Sequence, residues 1–213
     1  MKTQTPLRSI AALTLALCPA IAGVIYSNGP LVTHPGQGAG GADVSAIQTQ
    51  LGMGTFGFGA QQSYGNRVAD DFTVPAGGWT ITSAILFGYQ TFAPTSPSTF
   101  TGVTLRIWDG PPGLAGSSVI WGDTTTNRLV SSSWSGIYRA LDYDLLSTNR
   151  PIMANVVSLG ITLGPGTYWL DWDFGGDGAY SGPWVPPVTI LGQTTTGNAR
   201  QYASGQWYDI LDS

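Results

Sequence analysis

The sequence predicts an all-β protein, an antiparallel β-sandwich of jelly-roll-like character, and three observations carry that expectation. Short runs rich in Val, Ile, Thr, Trp and Tyr follow one another along the chain, punctuated by Gly, Pro and Asn. Charged residues make up only 9% of the sequence, so Thr, Ser and Gly supply much of the polar surface, and that composition suits a pleated sheet better than a helix. Helical spacing occurs in one place: Val44, Ile47 and Leu51 follow Asp43, which can cap free N–H groups, so at most one short helix is expected, over residues 44–51.

The first residues read as a secretory signal peptide, residues 1–22. Lys2 and Arg8 precede an apolar run from Ile10 to Cys18, and Ala20-Ile21-Ala22 offers the small residues of a cleavage site. The run is shorter than the roughly 20 residues that span a bilayer, and no later run is long enough, so the mature chain is expected to carry no integral membrane segment. It is expected to be secreted or held at the cell surface. Leu15 to Cys18 loosely resembles a lipoprotein signal that would lipidate Cys18, but Leu17 is bulky where a small residue is wanted and Pro19 follows.

Residues 23–213 read as a single β-sandwich domain, since a chain of about 190 residues buries a substantial core as one unit. Within it, residues 23–64 form a Gly-rich leading segment, irregular after a short strand near Val24-Tyr26. Strands are then expected over residues 67–74, 79–89, 101–108, 117–121, 128–134, 137–146, 155–163, 167–174, 188–192 and 206–210. Asp109-Gly110-Pro111-Pro112-Gly113 is a turn between two of them. So many short strands with so little helix favour a sandwich or jelly roll over a parallel α/β fold.

Charge and residue types exclude several classes of function. The mature chain has no lysine, cysteine or glutamate; twelve aspartates face six arginines, a net charge of about −6 with His34 neutral. Nucleic-acid binding is disfavoured, because phosphates need a basic patch. Without cysteine there is no disulfide, catalytic thiol or cysteine metal cluster. His34 is the lone histidine, in a Gly-rich stretch with no Gly-x-Ser-x-Gly elbow, so a serine triad has no base beside its nucleophile.

Residues 167–178 are the most suggestive stretch. As a strand, period two puts Tyr168, Leu170, Trp172 and Phe174 on one face, as core, and Trp169, Asp171 and Asp173 on the other. Asp171 and Asp173, with Asp177 in the following Gly-rich turn, are candidate oxygen ligands for Ca2+, although their spacing is not that of an EF-hand; solvated edge and turn residues are the plainer reading. No other cofactor is expected. Asp70 and Asp71 are expected on opposite faces of their strand, one outward and the other capped or paired, with Arg67 as a candidate partner.

Of eight tryptophans, Trp108, Trp169 and Trp184 are the candidate ligand-binding residues, being outward by alternation or flanked by Gly and Pro. An exposed indole stacks on the C–H face of a sugar ring, and Ser181-Gly182-Pro183-Trp184-Val185-Pro186-Pro187 would hold Trp184 in a stiff loop.

Val68-Ala69-Asp70-Asp71-Phe72-Thr73-Val74-Pro75, with Leu105-Arg106-Ile107-Trp108-Asp109-Gly110 and Gly166-Thr167-Tyr168-Trp169-Leu170, resembles exported bacterial β-sandwich proteins of the kind sorted by exosortase (PEP-CTERM-type). The resemblance covers much of residues 66–175 and implies an extracellular location and this fold rather than an activity. The Pro-Glu-Pro motif and sorting tail of those proteins are not part of the likeness.

The sequence therefore points to an exported, non-catalytic extracellular or cell-surface protein with a structural or adhesive role. The alternative is a carbohydrate-binding module, calcium-dependent if the aspartates are ligands. An aspartate-dependent glycan hydrolase ranks last, because nothing marks the two carboxyls it requires. The expected partners are extracellular polysaccharide or other surface proteins. Trp169, Asp171 and Trp184 on one concave face would favour sugar; their dispersal would favour a structural role.

Overall fold

The computed structural model describes residues 23–194 and 197–211. The signal-peptide expectation for residues 1–22, Cys18 included, lies outside the described residues. Among those described, the β-branched and aromatic runs form β1 (Asp43–Ile47), β2 (Phe58–Gly59), β3 (Arg67–Val74), β4 (Trp79–Thr91), β5 (Phe100–Trp108) and β6 (Val119–Asp123). The second half contributes β7 (Leu129–Leu141), β8 (Pro151–Leu163), β9 (Gly166–Gly176), β10 (Ser181–Val185), β11 (Arg200–Ala203) and β12 (Gln206–Asp209). Helix is limited to 3-10 turns of three residues, at Ala39–Gly41, Thr49–Leu51 and Gln62–Tyr64.

The strands make two six-stranded sheets, ordered β1-β7-β8-β4-β10-β2 and β12-β11-β3-β9-β5-β6. Pairing is antiparallel except between β1 and β7. The sheets pack face to face as a β-sandwich, as expected from the sequence. Val103, Leu105, Trp172 and Phe174 from one sheet meet Leu86, Met153 and Val157 from the other. Phe100 and Phe174 pack edge to face at 5.1 Å, and Gly88 lies against both rings, where a Cβ would come within 2.9 Å of Phe174. A second cluster, Phe72, Val74, Ile107 and Leu163, extends the core and is joined by Trp79 and Tyr168.

The helix expected over residues 44–51 is instead β1 followed by the 3-10 turn Thr49–Leu51. Val44, Ser45, Ala46 and Ile47 are all buried, so both faces of the strand are covered. Such a strand shows no alternation, and its short apolar run mimics helical spacing. Asp43 caps no helix; its Oδ1 accepts Gly36 N–H at 2.8 Å and closes the Gly-rich loop.

Two expected strands are absent. Val24-Tyr26 is extended chain without sheet partners, held by Tyr26, whose ring contacts Phe72 and Trp79 at 6.2 and 6.0 Å. Residues 188–192 are irregular because a side chain takes the place of a neighbouring strand: Gln48 Nε2 donates to Ile190 O at 2.8 Å, and its Oε1 accepts Gly192 N–H at 2.6 Å. The runs at 128–134 and 137–146 are one strand, β7, whose register shifts between Trp134 and Ile137. The leading segment, expected to be irregular, contributes both β1 and β2.

Candidate functional site

The alternation expected along β9 is real, but both of its faces are covered. Trp169 is 4% exposed, Asp171 0% and Asp173 3%. Trp169 is thus buried, not an outward sugar platform, and the two aspartates are not solvated. Register explains why: Asp171 lies opposite Ala69 and Arg106, Asp173 opposite Thr104, and Trp169 opposite Trp108. Arg67, two residues before Ala69, therefore shares their face.

Arg67 Nε donates to Asp171 Oδ1 at 2.5 Å, and its Nη1 donates to Asp173 Oδ2 and, at 3.0 Å, to Thr104 Oγ1. Asp171 Oδ2 accepts Arg106 Nε at 2.7 Å and Trp108 Nε1 at 3.0 Å. Asp173 Oδ1 accepts Thr104 Oγ1 at 2.8 Å. Two arginines thus balance two aspartates, the condition under which buried charge is tolerated. Burial raises the Asp173 pKa above the usual carboxylate range, and Arg67 and the Thr104 bonds only partly oppose this.

Asp171 and Asp173 were expected as oxygen ligands for calcium together with Asp177; in the structure N–H and O–H donors already occupy their oxygens. Asp177 is exposed in the turn after β9, where its Oδ1 accepts Ala179 N–H at 2.9 Å. Among the described residues no group of three or more His, Cys, Asp or Glu is arranged to hold a metal ion. Arg67, the candidate partner of Asp70 or Asp71, pairs with Asp171 and Asp173; Asp70 is capped, its Oδ2 accepting Asn28 Nδ2 at 2.6 Å and its Oδ1 the Asp71 N–H at 3.0 Å. Asp171 and Asp173 are neighbours on one strand sharing Arg67, not carboxyls facing each other across a cleft.

Trp184 lies elsewhere, on β10 in the other sheet, opposite Tyr89 of β4 and Gly59 of β2. It borders a cleft of about 770 Å³ together with Tyr64, Tyr180, Gln61, Asn66 and Gln201. Gly182, at φ +117°, lets the indole edge lie on the backbone, where a Cβ would stand 2.6 Å from Trp184 Cδ1. Tyr64, on the 3-10 turn Gln62–Tyr64, is 78% exposed. Asn66 Nδ2 donates to Gln61 Oε1 at 2.8 Å and Gln201 Nε2 to Gly59 O at 2.8 Å. The remaining polar atoms of these three amides have no protein partner among the described residues. A Cβ on Gly59 would meet Gln61, Gln201 and Asn66 at 2.7, 3.1 and 3.3 Å, so glycine keeps this polar floor open. Asp177 is the single charged side chain of the lining.

A second cavity, of about 430 Å³, opens beside the ionic network. Gln62 and Gly65 line it, whereas Gln61, Ser63, Tyr64 and Asn66 line the first cleft, so one turn divides the two. Its aromatic walls are Trp108, Tyr202 and Trp207; Trp207 stands edge to face with Trp108 at 6.4 Å and tilted to Tyr202 at 5.4 Å.

Trp108 and Trp169 are thus cross-strand neighbours, one half-buried at the second cavity and the other buried, whereas Trp184 lies apart from both at the first cleft. Sequence reasoning missed Tyr64, Tyr180 and the three amides. Tyr64 has the same local feature that marked Trp184, an aromatic residue beside glycine in a turn, and that test applied to tyrosine would have found it. Comparison of the chain with protein-family models, curated proteins and solved structures finds no match.

Proposed function

We propose that this is an exported, non-catalytic adhesive protein that holds a neutral stretch of extracellular polysaccharide in the cleft bordered by Trp184. The observation that carries this reading is the lining: four aromatic side chains, Phe58, Tyr64, Tyr180 and Trp184, and three planar amides, with one carboxylate and no cation. Aromatic rings suit the C–H faces of sugars, and amides donate to and accept from hydroxyls at once. The volume lies within the roughly 300–1,000 Å³ of ordinary ligand sites. Export is supported by the signal-like N-terminus, and the resemblance to exosortase-sorted proteins agrees with it. The cleft is a different constellation from the Trp169, Asp171 and Trp184 face, which is dispersed.

The test is a screen of the purified protein against neutral and acidic polysaccharides, each with calcium and with chelator. Retention on a neutral glycan that Trp184→Ala and the surface change Tyr64→Ala both weaken is the expected result. Chelator is expected to change nothing, since arginines occupy Asp171 and Asp173. Failure to bind every neutral glycan, with the protein folded, sinks the proposal and favours a purely structural role.

A further inference from the structure

We infer that the second cavity, between the Arg67–Asp173 floor and the Trp108 and Trp207 rings, is a separate site for the carboxylate of an acidic sugar. It rests on the glycan reading for the sugar ring, but the carboxylate preference comes from this cavity alone. The floor has spent its acceptors: Asp171 takes Arg67, Arg106 and Trp108, and Asp173 takes Arg67 and Thr104. What stays free is a set of donors. Arg106 uses Nε and Nη2 on Asp171, leaving Nη1 without a protein partner among the described residues, and its side chain is 21% exposed against 4% for Arg67. Tyr202, Trp207 and Thr124 line the same space, and their side-chain donors have no protein partner among the described residues.

A guanidinium N–H beside neutral donors suits a planar, charged acceptor, because charge-assisted bonds are about twice as strong as neutral ones. The paired aspartates balance the two arginines, so selectivity comes from donor direction, not from excess positive charge. Two indoles and a phenol around the opening suit the apolar face of a pyranose ring. Gly113 supports this wall: at φ +83° it approaches Trp207 so closely that a Cβ would lie 2.7 Å from Cδ1. The first cleft has no cation, so the two cavities, on opposite sides of Gln62–Tyr64, are complementary to different sugar units.

The experiment compares binding of galacturonate and glucuronate oligomers of two to six units with their carboxyl-reduced counterparts, in the wild type, Trp207→Ala and Trp184→Ala. Arg106→Gln strips a partner from buried Asp171 and can unfold the protein, so Trp207→Ala, on the edge strand β12, is the primary variant, with folding checked by circular dichroism. The wild type is expected to prefer the acid form by about tenfold. Trp207→Ala is expected to lose it while retaining neutral-glycan binding, and Trp184→Ala to do the reverse. Equal binding of acid and reduced oligomers, or unchanged acid binding in Trp207→Ala, overturns the inference while leaving the neutral cleft in place. Acid binding without any neutral binding keeps the inference and removes the neutral cleft. Absence of both removes both.

Discussion

Arg67 and Asp171 stand 104 residues apart in the chain and meet at 2.5 Å on one sheet face, both nearly closed to solvent. Their contact ties β3 to β9 and, through Arg106 and Thr104, to β5, so the ionic network stitches together three adjacent strands of its sheet. It also sets the polar floor of the second cavity.

Removing one member of this network leaves its partner charged and buried. Arg67→Met is therefore expected to destabilise the protein by about 3–5 kcal/mol, and Asp171→Asn by a similar amount, read as a lowered urea midpoint. A loss below about 1 kcal/mol would mean that the network is hydrated and behaves as a surface pair.

Arg139 is buried and fastens three separate parts of the chain. Its Nε donates to Phe56 O at 3.1 Å, its Nη2 to Thr55 O at 2.7 Å, and its Nη1 to Ser45 and Thr189 hydroxyls at 3.1 and 3.0 Å. Arg139→Met is expected to cost about 3 kcal/mol or more and to expose residues 52–57 to limited proteolysis before the sandwich unfolds. Cleavage elsewhere first would contradict that role.

Gly88 occupies the space between Phe100 and Phe174, so Gly88→Ala forces the rings apart. A loss of about 1–3 kcal/mol is expected in chemical denaturation, with a change in the near-ultraviolet aromatic signal. Gly164→Ala, with nothing within 4 Å of its added Cβ, is the control and should change little.

Acid acts in two directions. The carboxyls of Asp70 and Asp173 are held above their ordinary value of 3.8, chiefly by burial. The folded state then takes up protons before the unfolded state does, so their contribution to stability rises as pH falls through the folded values and is complete near 3.8. Asp123 and Asp142 are lowered: backbone N–H donors from Thr126 and Thr125 dominate at Asp123, and at Asp142 desolvation is outweighed by bonds from Thr49 and Gln50. Their contribution holds above 3.8 and is lost as pH falls below it. Asp70→Asn should therefore be more stable relative to wild type at pH 7 than at pH 4.5, measured by urea denaturation; an unchanged difference would contradict the shift.

Local sequence by itself determined the all-β class and most of the strands: β3 begins and ends at Arg67 and Val74 as read from the residues, and the faces of β9 divide as its alternation requires. Those features depend on composition, pleat and turn residues, which act over a few positions. Tertiary structure decided what each face meets. Val44 to Ile47 became a strand because β7 was there to pair with it, and residues 188–192 did not because Gln48 filled their hydrogen bonds. Trp169, Asp171 and Asp173 looked outward until Arg67, Arg106 and Trp108 covered them, from strands distant in sequence. Tyr64 and Trp184 share a cleft only because β2 and β10 pair at one sheet edge. Alternation says that a side chain leaves its strand on a given side; only the packed chain decides whether water, a cation or a cavity lies there.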